Sequence, residues 1–100
     1  MIVYLYRWRI KKDKEKQFKE SWEKVTLAMR EHCGSFGSRL HVSDDGIYVG
    51  YAQWPDNDTR NKCEINLPEI ENARLLMKDA VEEGLPTMCL EIEADLLIQP

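Results

Sequence analysis

Within its first third the sequence changes hydrophobic period from two to about 3.6, so a strand must be followed at once by a helix. Residues 2–10 (IVYLYRWRI) are β-branched and aromatic, with Ile2, Tyr4, Tyr6, Trp8 and Ile10 on one face and Val3, Leu5, Arg7 and Arg9 on the other. Both faces are partly apolar. Asp13 then stands where a helix cap is needed, and Phe18, Trp22, Val25 and Met29 trace one helical stripe that ends near Gly34. The Lys14, Lys16, Lys19, Glu20, Glu23 and Lys24 face of that helix reads as a solvated surface.

Residues 36–43 and 47–54 are strand-like runs around Asp44-Asp45-Gly46, and Asp-Gly is a strong hairpin signal. With Asp45-Gly46 as a two-residue loop, His41 pairs with Gly50, Arg39 with Ala52, and Gly37 with Trp54. That register puts Leu40, Val42, Val49 and Tyr51 on one face and gathers His41, Arg39 and Trp54 among small residues on the other. Pro55 stops the strand. The polar stretch 56–66 has room for a short helix, and Pro68 suits the first turn of a longer one. Ile70, Ala73, Met77, Ala80 and Val81 recur at helical spacing until Gly84 and Pro86 close the segment. Residues 87–98 then alternate as a long final strand, with Met88, Leu90, Ile92, Ala94, Leu96 and Ile98 on one side.

The order strand, helix, strand, strand, helix, strand predicts an α+β, ferredoxin-like βαββαβ domain with a four-stranded antiparallel sheet. A chain of 100 residues has room for one such domain. Its first and last strands are neighbours, which accounts for a charge asymmetry: residues 1–31 carry nine Lys/Arg against five Asp/Glu, and residues 64–100 two against nine. Arg7 and Arg9 are thus expected to face Glu91, Glu93 and Asp95. Two helices cover only one sheet face, and the other keeps apolar residues, so a homodimer packed sheet to sheet is expected. Strand 87–98 is the candidate to cross onto the partner.

No apolar run is long enough to span a bilayer, and Met1–Tyr6 is too short and too soon followed by charge for a signal peptide, which predicts a cytoplasmic protein without membrane association. Cys33, Cys63 and Cys89 are odd in number, far apart and without a C-x-x-C pair, so they read as reduced thiols. A pI of about 5.2 and the lack of a basic stripe argue against nucleic acid. Phosphate loops, HExxH, GxSxG and metal-ligand spacings are absent from the sequence.

The constellation that carries chemistry is the expected hairpin face. His41 can move a proton near neutral pH, Arg39 can hold an oxyanion, and Trp54 can stack on a planar ring. The alternative is that Gly50 and Ala52 are small because a helix presses on them and that Trp54 is core. Tyr4, Tyr6, Trp8 and Trp22 are either core or the walls of an aromatic pocket.

These residues resemble the antibiotic biosynthesis monooxygenase family of dimeric α+β barrels. The resemblance rests on the YRWRI strand, the lysine-rich helix start, the turn EHCGSFGSRLH, and a hairpin strand ending in Trp54-Pro55. It implies a cofactor-independent monooxygenase acting on a small electron-rich aromatic, with O₂ used without flavin, metal or haem. His41 and Trp54 become the catalytic candidates, and Arg39, Tyr6 and Trp22 the substrate-binding ones. Trp54 matches the family's Trp, while Gly50 stands where those oxygenases tend to carry Asn. The haem-degrading branch is excluded, because Tyr6 occupies its first-strand position and no Trp or His follows Trp54. The departure at Gly50 keeps a second reading open, a non-catalytic dimeric module that binds a hydrophobic small molecule or self-associates. A third is isomerase or lyase chemistry on an enol.

Overall fold

A computed structural model describes residues 1–98. The elements are β1 (Ile2–Ile10), α1 (Glu15–His32), β2 (Gly37–Val42), β3 (Tyr48–Trp54), α2 (Asn57–Asn61), α3 (Pro68–Ala80), β4 (Val81–Gly84) and β5 (Met88–Glu91). β1 is the centre of an antiparallel sheet, with β3 and then β2 on one side and both β4 and β5 on the other. The architecture is the expected ferredoxin-like α+β one, with α1 and α3 packed together over one sheet face.

The final lane differs from expectation. The second long helix stops at Ala80 instead of running through Val81, since Val81 pairs with Ile10 and the Ala80 carbonyl accepts from Lys11 N–H at 2.8 Å. From Val81 to Glu91 the chain follows β1 antiparallel, interrupted where Pro86 lacks the N–H a ladder needs, so the sheet has five strands in four lanes. The strand expected over 87–98 ends at Glu91. Glu91 pairs with Ile2, and among the described residues the alternating stretch 92–98 pairs with no strand. Register also corrects the expected charge pairs: Arg9 meets Glu83 at 3.1 Å, while Arg7 Nε is buried without a hydrogen-bond partner among the described residues.

Of the expected stripe, α1 buries Phe18 and Val25 and half-buries Trp22 and Met29, and Ala28 is buried beside them. Ser21, also buried, returns its hydroxyl to the Gln17 carbonyl at 2.7 Å, and small side chains at Ser21, Ala28 and Ala73 suit the close packing of α1 on α3. Asp13 is not the cap: it takes φ +69° in the turn before the helix, a conformation Asp tolerates better than most residues. The C-terminus ends as expected. Gly34 takes φ +74°, which lets Ser35 N–H turn back toward the Met29 carbonyl.

The cysteines are corrected as well. Cys33, capping α1, is bonded to Cys63 beyond α2, which leaves Cys89 as the free thiol. The bridge sits on a small apolar cluster of Ala28, Ile65 and Ile70, fastening the otherwise polar 56–66 segment to the helix layer. Among the described residues no helix is long and apolar enough to cross a membrane.

Candidate functional site

The length of the loop after Ser43 decides which residues share a site. The Ser43 carbonyl accepts from Gly46 N–H at 2.9 Å, the Ser43 hydroxyl accepts from Ile47 N–H at 3.1 Å, and Gly46 takes φ +84°. This is a three-residue loop closed by a left-handed glycine rather than a two-residue turn. The register moves by one: Leu40 opposes Gly50, Ser38 opposes Ala52, and His41 opposes Val49. A one-residue slip turns every side chain to the other face. The expected union of His41, Arg39 and Trp54 is therefore broken. Arg39 and His41 lie on the open face with Tyr51 and Gln53, in a wide groove of about 450 Å³ that Phe36 and Leu97 border. Trp54 points the other way, under the helices, and is only 2% exposed.

The covered face holds an aromatic-lined site. Tyr4, Tyr6 and Trp8 lie along one side of β1, each about one strand repeat from the next, with Tyr6 and Trp8 rings 5.8 Å apart and within 10° of parallel. Trp8 ends the row edge-on against Phe18 at 5.0 Å. Between this row, α1 and β3 is a cavity of about 210 Å³ walled by Tyr6, Trp8, Trp22 and Trp54, with Met29 and Met77 at its margins. Four of its described lining residues, Tyr6, Thr26, Ser35 and Ser38, carry hydroxyls. Of the four aromatics expected to wall a pocket, Tyr6, Trp8 and Trp22 line this cavity and Tyr4 does not, while Trp54, expected beside His41, joins them. Among the described lining residues there is no imidazole and no carboxylate.

Gly50 is small for a reason the sequence did not disclose. A Cβ there would lie 2.9 and 3.0 Å from two atoms of the Trp8 ring, so the indole fills the space expected to be open beside His41. Gly50→Ala should therefore destabilise the fold by about 1–3 kcal/mol, because Trp8 is held between Tyr6 and Phe18 and cannot yield freely. Urea unfolding measures this, and Trp8→Phe in the same chain should recover most of the loss. An unchanged midpoint for Gly50→Ala would contradict the contact.

A polar cluster stands beside the aromatic row. Asp56 caps α2 by accepting from Thr59 N–H at 2.7 Å, a bond that holds its carboxyl below the usual carboxylate range. One turn on, Arg60 lies over the Tyr4 ring at 3.8 Å and donates from Nη2 to the Tyr6 hydroxyl at 2.9 Å. The Tyr4 hydroxyl donates to Asn57 Oδ1 at 2.6 Å. Removal from water, followed by its bonding with Cys89, raises its pKa above the ordinary phenol value, so it stays protonated. Arg60 was not singled out in the sequence. The available signal was Asp56 three residues before Thr59, which starts a short helix and carries Arg60 toward β1.

No family model matches the sequence, and no curated protein is similar to it. Solved structures are similar in fold. SnoaB of Streptomyces nogalater, described as a cofactor-independent oxygenase, is 13% identical with a TM-score of 0.76, the match covering 95% of each chain. A candidate antibiotic biosynthesis monooxygenase from Deinococcus radiodurans is 13% identical with a TM-score of 0.72 over 100% of both chains. One from Bordetella bronchiseptica is 16% identical at 0.73, covering 96% of this chain and 97% of that one. The chain thus has the α+β fold found in antibiotic biosynthesis monooxygenases, and the resemblance read from residues 2–54 holds at the level of fold.

Proposed function

We propose that this protein is a cofactor-independent monooxygenase whose electron-rich aromatic substrate lies in the cavity between β1, β3 and α1. The observation that carries the reading is an aromatic-walled cavity formed by Tyr6, Trp8, Trp22 and Trp54 in a fold that SnoaB shares. Trp22 and Trp54 hold the ring, and Tyr6 offers its hydroxyl to an oxygen-bearing substituent of it. A phenol or enol enters as its anion, which passes an electron to O₂. Recombination forms a carbon–oxygen bond, and loss of water leaves one oxygen atom in a quinone-type product. The chain contributes positioning and the exclusion of water.

With no imidazole in the cavity lining, ionisation follows the substrate's own acidity. The rate should rise with pH through the pKa of the substrate, without an inflection near pH 6.5 of the kind a histidine base imposes. Oxygen-electrode assays over anthrones, naphthols and catechols test the proposal. Enzyme-dependent uptake that falls in Trp54→Phe supports it; absence of uptake across the panel contradicts it. The second reading, a module that binds a hydrophobic small molecule without turnover, is favoured by a lining whose described residues include no imidazole and no carboxylate. Thermal-shift hits without product would select it.

The working form is proposed to be a homodimer that covers the open sheet face. The chain exposes 7174 Å², about a fifth more than the roughly 5,900 Å² typical of a compact monomer of this mass. Much of the excess is apolar: Leu96, Leu97 and Ile98 are 93%, 72% and 90% exposed, beside Met88 and Leu90. Light scattering should give twice the chain mass, and Leu96→Glu with Ile98→Glu should return a monomer. A wild-type monomer at high micromolar concentration would contradict this.

A further inference from the structure

Arg60, Tyr4 and Asn57 form a polar cluster beside the cavity, joined to it through Tyr6. Arg60 is half-buried, and among the described residues no carboxylate pairs with it. Its partners are neutral: the Tyr4 ring, the Tyr6 hydroxyl at 2.9 Å and, weakly, Asn61 Oδ1 at 3.4 Å. A guanidinium carries more N–H donors than these acceptors engage, in a planar fork that matches a carboxylate. The Tyr6 hydroxyl accepts from Arg60, so its own proton remains available, and the same Tyr6 lines the cavity. Hence Tyr6 brings to the cavity lining an O–H donor backed by Arg60, a cation that stands behind the lining and has no carboxylate partner among the described residues. The short helix bearing that cation is fixed on both sides, by the Asp56 cap before it and the Cys33–Cys63 bridge after it. A long side chain held in place without a counter-charge is prepared for an anion that arrives with a ligand.

We propose that Arg60, together with the Tyr6 hydroxyl it supports, recognises a carboxylate, so that the ligand of this cavity is an aromatic acid rather than a neutral ring. The proposal rests on the reading of the cavity as the ligand site. The ring lies among Trp22 and Trp54 while the carboxylate reaches the Tyr6 and Arg60 end. Arg60 is on this account a specificity residue. The flat indole walls accept many rings, and the charged end discriminates between acids and their neutral isosteres.

Calorimetric titration with 1-naphthoate and with 1-naphthamide, a neutral near-isostere, tests this in the full-length protein. The wild type should bind the acid at least about tenfold more tightly than the amide, the scale of one charge-assisted pair. In Arg60→Met the ratio should fall to near one while amide affinity stays within about twofold, which also reports that the cavity is intact. Arg60→Lys should recover part of the preference, since it restores charge without the fork. A preference for the acid that persists in Arg60→Met would overturn the assignment. Equal binding of the two probes to the wild type would overturn Arg60's role and leave the cavity reading standing. Failure of both probes to bind would remove the cavity as a ligand site and this proposal with it.

Discussion

Replacing Cys33 and Cys63 together by serine, or reducing the wild-type protein, should lower its stability by about 3–4 kcal/mol. The magnitude follows from the loop that the bond closes in the unfolded chain, whose ends are 30 residues apart in sequence. For a domain of this size that is a fall in Tm of roughly 15 °C or more. Thermal unfolding followed by circular dichroism, with and without reductant, measures it. The reduced wild type and the double serine variant should melt together, and reductant should leave the variant unchanged. Alkylation of denatured, unreduced protein should modify Cys89 alone. Three modified cysteines with an unshifted melting curve would contradict the bridge. The effect should extend to ligand binding, because Cys63 stands three residues after Arg60 and secures the segment that carries it.

The second large effect is expected from filling the cavity. Ala52 lies in its lining on β3, opposite Ser38 and next along the covered face from Trp54. Ala52→Leu would project its added carbons into the space a ring needs. Affinity for aromatic ligands should fall about a hundredfold, equivalent to about 2.7 kcal/mol, and oxygen uptake should fall with it. The fold should lose much less, since the new side chain enters space that is already open. His41→Ala and Arg39→Ala, across the sheet, should leave both readouts within about twofold. The set is measured by calorimetry and the oxygen electrode on the same preparations. Loss of activity in His41→Ala with normal binding in Ala52→Leu would move the site to the open face.

Much of the architecture was legible because it depends on local rules. The alternation of residues 2–10, the Phe18 to Met29 stripe, Gly34 as a left-handed stop and Pro68 as a first helical residue act within a turn or two of chain. What could not be read depends on partners distant in sequence. Residues 92–98 alternate as well as any strand, yet among the described residues no strand pairs with them. Cys33 and Cys63 lack a recognisable spacing because tertiary packing brings them together. The small size of Gly50 reflects an indole two strand positions from its direct partner Tyr6.

The candidate site was legible in half. Tyr6, Trp22 and Trp54 converge because strand and helix periods alone direct them to the layer between sheet and helices. A two-residue turn would put His41 and Arg39 in that layer, and the loop that Ser43 closes is one residue longer. Ser43 accepts the Ile47 N–H and stabilises the three-residue loop, and a site inferred across a hairpin inherits the parity of its turn. Arg60 was missed because the 56–66 segment has no hydrophobic period. It is held by a cap and a disulfide instead.

The central claim is that an aromatic ligand lies beneath the helices and not on the outer face. A crystal structure of the protein soaked with 1-naphthol tests it most directly. The account predicts the naphthyl ring between Trp22 and Trp54 with its oxygen toward Tyr6; a ring found instead in the groove beside Arg39 and His41, with the interlayer cavity empty, would contradict it.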